Sequence, residues 1–421
     1  MISKWRWLLT QLTRTLWLRA SLFAVLAIVT ALIAIPVQSL IESPLPFEIG
    51  SEAVRGILNI LASSMLAVTT FSLSVMVSAY TAASSSATPR ATQLVRQDST
   101  TQNVLATFIG SFLYSLVGII ALSTDVYGEN GRLILFTVTI GVIILIVVTI
   151  LRWIEHLSLL GRLSETTNRV EDALTQAMKQ RIDYPCLGAK RLDKENPPKK
   201  GKNAVYINKV GYIEHIDLGG LNRCAESNET EICLYIEPGH FVHPGEAVAY
   251  YDGKQSDSID ETVIKALSIN DLRSFDQDPR FGFTVLAEIA SRALSPAVND
   301  PGTAIDILSR AVRVLSLWCD HKKLDDSNDN IAYPYVRMPE VKLDSLFDDI
   351  FLPISRDGDG MLEIHLRLQK SLLALKQISP DCFAECVEKH SDLAYQRALL
   401  ALDLDADIER LQKIRNAVRS A

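Results

Sequence analysis

The chain lacks every common catalytic signature. G-x-S-x-G, H-E-x-x-H, the Walker A loop and G-x-G-x-x-G are all missing from its 421 residues. The usual nucleophile, zinc-hydrolase and nucleotide sites therefore have no local support, and no cofactor or metal is expected. Cysteine is scarce: six thiols, none before Cys186. A reducing compartment would keep them free of structural disulfides. Cys382 and Cys386 share a helix face, but no second ligand pair accompanies them, which favours core thiols over a metal site. A basic excess is also missing, since 42 Lys and Arg stand against 49 Asp and Glu. That balance argues against a nucleic-acid partner.

Apolar residues are abundant, at 48% of the chain, and unevenly placed. Four stretches before about Trp153 are predicted to span a bilayer: Ala20–Ile41, Ile57–Ala82, Asn103–Thr124 and Leu133–Trp153. Each is about 20 residues long, enough for a hydrocarbon core of ~30 Å. The first is a poor secretory signal, because no convincing small-residue cleavage site follows it before Pro36. Lys4, Arg6, Arg14, Arg19, Arg90, Arg96, Arg152 and Arg162 flank one side of the spans. Only Arg55 and Arg132 lie on the other, beside Glu42, Glu48, Glu52, Asp125 and Glu129. The positive-inside rule then places both termini in the cytoplasm, and Trp5, Trp7, Trp17 and Trp153 fit interfacial positions.

The second stretch carries a polar strip. Ser63, Thr70, Ser74, Ser78, Thr81 and Ser85 fall within an arc of roughly 80° on a helix, and Asn59 and Ala67 extend it. Leu61, Met65, Val68, Val75, Met76 and Ala79 take the opposite face, with Ser72 the exception. Hydrocarbon does not reward a line of hydroxyls, so the strip is expected to face protein or water. In the third stretch Asn103, Thr107, Gly110, Ser111, Tyr114 and Gly118 recur at helical spacing, as in closely packed helix pairs. The fourth, rich in Ile, Val and Leu, is expected to face lipid.

Beyond residue 154 the net charge changes from +3 to −10. An acidic part of this kind stays soluble and attracts cations. Leu160, Leu163, Thr167, Val170, Leu174 and Ala177 form a heptad-like seam. It reads either as a stalk joining protomers or as an amphipathic helix on its own domain. A basic, proline-containing linker follows to residue 203. Residues 204–255 have strand character, and PGHFVHPGEAVAY resembles the turn of small barrel-sandwich domains such as the biotinyl and lipoyl carriers, without a carrier lysine. His240 and His243 in this turn are expected to be solvated rather than metal-bound. Asp357, Asp359 and Glu363 lack the full spacing of a calcium loop and read as a turn. Residues 256–421 are predicted to be helical. The expected organisation is thus four transmembrane helices (1–154), an amphipathic helix and linker (155–203), a small β-barrel-like module (204–255) and a helical cytoplasmic domain (256–421).

Asp276, Asp278, Arg280, Arg292, Asn299 and Asp300 form a polar cluster in sequence. Asp300 followed by Pro301 is a natural helix start. Capping and ion pairing explain most of the cluster, with a ligand or subunit contact as the alternative. ASSSATPR (83–90), QDPRFGF (277–283) and ALSPAVNDPGTA (293–304) together resemble a family of bacterial predicted membrane proteins, domain of unknown function 2254. Gln is the commoner residue in that family where this chain has Thr81 and Ser86. The resemblance implies an inner-membrane location and four spans, and no activity. Two functions remain open on the residues. One is a homo-oligomeric channel passing a small solute or ion, lined by Asn59, Ser63, Thr70, Ser74, Ser78, Thr81 and Ser85. The other is a non-transporting sensor or scaffold. An enzyme is the least supported.

Overall fold

The computed structural model describes residues 50–96, 98–123, 129–192, 203–319 and 331–421, together with 21, 22, 25, 28 and 29. The expected first span and its flanking Lys, Arg and Trp residues lie largely outside these. The chain divides into two compact units, one ending at Thr166 and one running from Thr167 to Ala421.

The first unit is helical. It comprises α1 (Ser51–Ser86), the short α2 (Thr92–Arg96), α3 (Ser99–Ser123) and α4 (Glu129–Leu159). Among the described residues, three helices are long and apolar enough to cross a membrane: α1, the segment containing α3, and α4. α3 is central, with Leu105, Phe108, Ser111, Tyr114 and Gly118 all buried. Gly118 lets two neighbours approach: a Cβ there would stand 2.9 Å from Leu58 of α1 and 3.8 Å from Leu135 of α4. The Tyr114 hydroxyl lies 3.1 Å from Thr139 Oγ1, so this buried phenol has its polar partner. The spacing of small residues therefore becomes close packing, although Asn103 is exposed. On α4, Ile144, Val147, Val148, Leu151 and Ile154 point outward, as a lipid-facing helix requires.

The second unit opens with α5 (Leu163–Asp183), whose first residues belong to the other unit. Thr167, Val170, Leu174 and Ala177 are buried, whereas Leu160 and Leu163 are half-buried. Leu174 packs onto Gly282, where a Cβ would meet the Leu174 Cβ at 2.7 Å. Arg310 and Arg313 both hold Glu171 (Nη1 to Oε2 2.5 Å, Nε to Oε1 2.8 Å). Within this unit the seam is the buried stripe of an amphipathic helix on its own domain.

The strands are β1 (Ala189–Arg191), β2 (Asn203–Tyr206), β3 (Gly211–Ile216), β4 (Ile232–Leu234), β5 (Phe241–Val242), β6 (Ala247–Tyr251), β7 (Leu267–Asn270) and β8 (Tyr333–Met338). They form a mixed five-stranded sheet, β1-β8-β4-β6-β2, and an antiparallel three-stranded sheet, β5-β3-β7. β8 pairs in parallel with both β1 and β4, so the module draws strands from well outside residues 204–255. Two sheets thus stand where the turn sequence suggests a barrel. They share an apolar core that includes Leu218 and Leu221 of α6 (Leu218–Ser227) and Ile259 and Val263 of α7 (Asp257–Ala266). The remaining helices are α8 (Pro279–Ala293), α9 (Pro301–Ser316), α10 (Leu343–Asp357), α11 (Leu362–Ile378), α12 (Pro380–Ala401) and α13 (Asp405–Ser420). α8 packs on α9 and α10, and α11 on α9, α12 and α13.

Candidate functional site

The α1 strip is on the surface of the single chain. Asn59, Ser63, Ala67, Thr70, Ser74, Ser78, Thr81 and Ser85 are all exposed. The opposite face is packed: Leu61, Met65 and Ala79 are buried, and Val68, Val75 and Met76 half-buried. Ser72, the hydroxyl out of line, is buried and accepts the Trp153 indole N–H at 3.0 Å. It serves helix packing, and the others do not. Ser63, Thr70, Ser78 and Thr81 donate to carbonyls one turn back in their own helix, at 2.9–3.1 Å. This satisfies each hydroxyl proton and leaves oxygen lone pairs outward. Large apolar side chains border the strip: Leu66 and Leu73 on one side, Ile60 and Phe71 on the other, all exposed.

Trp153 and a polar triad mark one end of the bundle. His156 Nε2 lies 2.7 Å from Asp98 Oδ2, which also accepts from Thr101 Oγ1 at 2.5 Å. Arg152 and Glu155 are exposed beside them. Groups of this kind belong at a membrane–water boundary. Since Ser72 meets Trp153, the α1 residues from Leu73 to Ser86 continue for ~20 Å past that level.

The polar cluster of the second unit divides between the two ends of α8. Asp276, Asp278 and Arg280 lie at the start, Arg292 in the last turn ~20 Å away, and Asn299 and Asp300 beyond it. At the far end Asp300 caps α9, accepting from Thr303 N at 3.1 Å and Thr303 Oγ1 at 2.5 Å. Those hydrogen bonds hold its carboxyl below the usual range. Arg292 and Asn299 are exposed, and Asn299 has a positive φ of 49° in the turn joining α8 to α9.

At the near end the motif enters a buried ionic network. Asp278 caps α8 through Phe281 N (3.1 Å) and accepts from Arg273 Nε (2.8 Å). Burial pushes this carboxyl up, and Arg273 pulls against it. Arg280 forms a two-point pair with Asp349 of α10, at 2.7 and 3.0 Å. Gln277 links two further elements: its side chain accepts from Ile216 N (3.3 Å), and its carbonyl accepts from Arg181 Nη2 (3.0 Å). Arg181 is fully buried in the last turn of α5. Burial lowers the Arg181 pKa, and nearby Glu237 pulls against it. Burial likewise pushes the Glu237 carboxyl up. Arg181 Nε and Glu237 Oε2 are both buried without a hydrogen-bond partner. At Gly239, with φ of 86°, a Cβ would collide with the Asp278 carboxylate. The network therefore joins α5, β3, the turn after β4, α8 and α10, which is a fastening role.

Sequence reasoning missed Arg181, Glu237, Arg273 and Asp349. One signal was available: Arg181 continues the buried stripe of Leu174, Ala177 and Met178 at helical spacing, so its side chain had to enter the core. Around β5, His240 Nε2 stands 3.1 Å from Glu246 Oε1, and His243 Nδ1 lies 2.9 Å from the Pro244 carbonyl.

Three apolar helices followed by a mixed sheet region and a helical segment define a helical membrane protein with a large amphipathic second unit. The chain belongs to the family described as "Predicted membrane protein (DUF2254)", whose model matches residues 13–374. It is also similar to uncharacterised proteins of Mycobacterium bovis and Mycobacterium tuberculosis, at 25% identity over 288 residues. Those alignments cover 65% of this chain and 54% of each relative, so the chain spans about half the length of the curated relatives it matches. No solved structure matches it.

Proposed function

We propose that the chain forms a homo-oligomeric channel in the bacterial inner membrane, with α1 lining an aqueous path for a small solute or ion. In this reading the apolar sequence Ala20–Ile41 is a further expected span, both termini are cytoplasmic, and the second unit regulates the path. One observation carries this reading. The hydroxyl strip occupies the middle of the outward face of α1 and is bordered by large apolar side chains, while the other face is packed within the chain. A pore-lining helix needs that distribution: polar atoms toward the axis, apolar flanks against neighbouring copies, and a third face on its own bundle. A wall of uncharged hydroxyls holds water and binds ions weakly.

A second reading has its own support. The hydroxyl protons are bonded to the helix backbone, so the strip can also pack dry against another helix, as small residues do in membranes. The protein would then be a sensor or scaffold without a conduit. Single cysteines at Ser63, Ala67 and Thr70 separate the two. In membranes they react with a water-soluble thiol reagent if α1 lines water, while cysteines at Ile144 and Val148 of α4 remain unlabelled. Protection of all five positions supports the scaffold.

A further inference from the structure

The helical part of the second unit holds a cation-binding set outside the network described above. Asp344 and Asp348 stand one turn apart on α10, so their carboxylates share a face. His390 reaches them from α12. One ligand atom from each of the three lies within 4.8 Å of the others, and His390 Nε2 is 3.2 Å from Asp348 Oδ1. The imidazole is fixed: its side chain is 1% exposed, between the Phe347 and Phe351 rings at 5.6 and 6.1 Å. Yet Nε2 makes no hydrogen bond. A buried ring nitrogen beside two carboxylates, without a hydrogen bond to either, is a costly arrangement.

The carboxylates already hold one cation. Lys389 Nζ lies 2.7 and 2.8 Å from the two Asp344 oxygens and 3.3 Å from Asp348 Oδ1. This ammonium neutralises one of two negative charges and makes no hydrogen bond to the imidazole, whose Nε2 stays unbonded. Its stem is flexible and its side chain partly exposed, whereas the His390 ring is held in place.

We propose that Asp344, Asp348 and His390 bind a divalent transition-metal ion, with Lys389 as the monovalent stand-in that swings out when the metal enters. Two carboxylate oxygens and one imidazole nitrogen suit zinc, manganese or ferrous iron. Magnesium and calcium, which prefer all-oxygen shells, are disfavoured. The metal satisfies Nε2 and balances both carboxylates, and it ties α10 to α12. Remaining positions on the metal are open to water.

The test uses the full-length protein in detergent, stripped with chelator, and isothermal titration with zinc and with manganese. Asp348 is partly exposed, so Asp348→Asn is expected to fold normally, and its metal-free melting temperature checks this. His390→Gln and Lys389→Met complete the set. The proposal expects one equivalent of metal that depends on Asp348 and His390, weakened at least about tenfold in either variant. It also expects tighter binding in Lys389→Met, where the competing ammonium is gone. Zinc binding more tightly than manganese follows from the imidazole ligand. Identical isotherms for the parent protein and Asp348→Asn would overturn the proposal, because any metal bound would then sit elsewhere, such as at His240, His243 and Glu246. Unchanged or weaker binding in Lys389→Met would overturn it as well.

Discussion

Burial of a few side chains sets how the second unit responds to acid. His365 and His390 are buried, and desolvation holds both imidazoles below their ordinary value, His390 at about 4. The unfolded chain titrates near 6.5 and so binds protons more readily than the folded one across that interval. The neutral rings are accommodated fully above about 6.5, and stability falls as pH drops from there toward 4. His390 alone accounts for a loss on the order of 2–3 kcal/mol. The melting temperature in chelator is expected to fall between pH 7 and pH 5, and His390→Gln to flatten that slope. A pH-independent transition would contradict this assignment. Gly282 is sensitive for a different reason. A Cβ there meets the Leu174 Cβ at 2.7 Å, close to the backbone of α5 and unable to move aside cheaply. Gly282→Ala is expected to cost about 1–3 kcal/mol, read as a lower melting temperature.

At the scale of elements, α8 and α9 start alike, each with an aspartate cap and a proline in the first turn. Their caps are not equivalent. Asp300 bonds only to its own turn, whereas Asp278 is buried and also holds Arg273. Asp300→Ala should therefore cost about 1 kcal/mol. Asp278→Ala should cost more, on the order of 3 kcal/mol, since it also leaves the half-buried Arg273 guanidinium without its buried partner. Equal losses in chemical denaturation would refute the distinction. The Asp300 cap was legible in the sequence because cap chemistry is local. The α1 strip was legible for the same reason, as hydroxyl spacing maps directly onto a helix face. The seam in α5 showed its period but not its partner: Leu174 meets Gly282 across more than 100 residues, and a heptad looks the same against a second copy or its own domain. The Arg181 network was hidden because its members come from five elements, and β8 joins its sheet from a similar distance. Such pairings follow from the topology, which no local pattern encodes.

The whole molecule combines a membrane bundle with an outward polar face and a second unit fastened by buried ion pairs. The bundle packs one side of α1, partly burying it, and leaves the hydroxyl strip exposed. Neighbouring copies meeting along Leu66, Leu73, Ile60 and Phe71 would bring the strips together and leave the hydroxyls around a common axis. Subunits crosslinked through cysteines at Ile60 and Leu66 should then migrate as a closed set of one size. A ladder without an end point would speak against a ring.

Conductance of the purified full-length protein in planar bilayers, compared with Ser63→Asp, tests this most directly. The channel reading predicts discrete openings, with cation selectivity increased when carboxylates ring the path at Ser63. Sealed bilayers from protein of proven oligomeric state, or openings whose selectivity ignores Ser63→Asp, would contradict it.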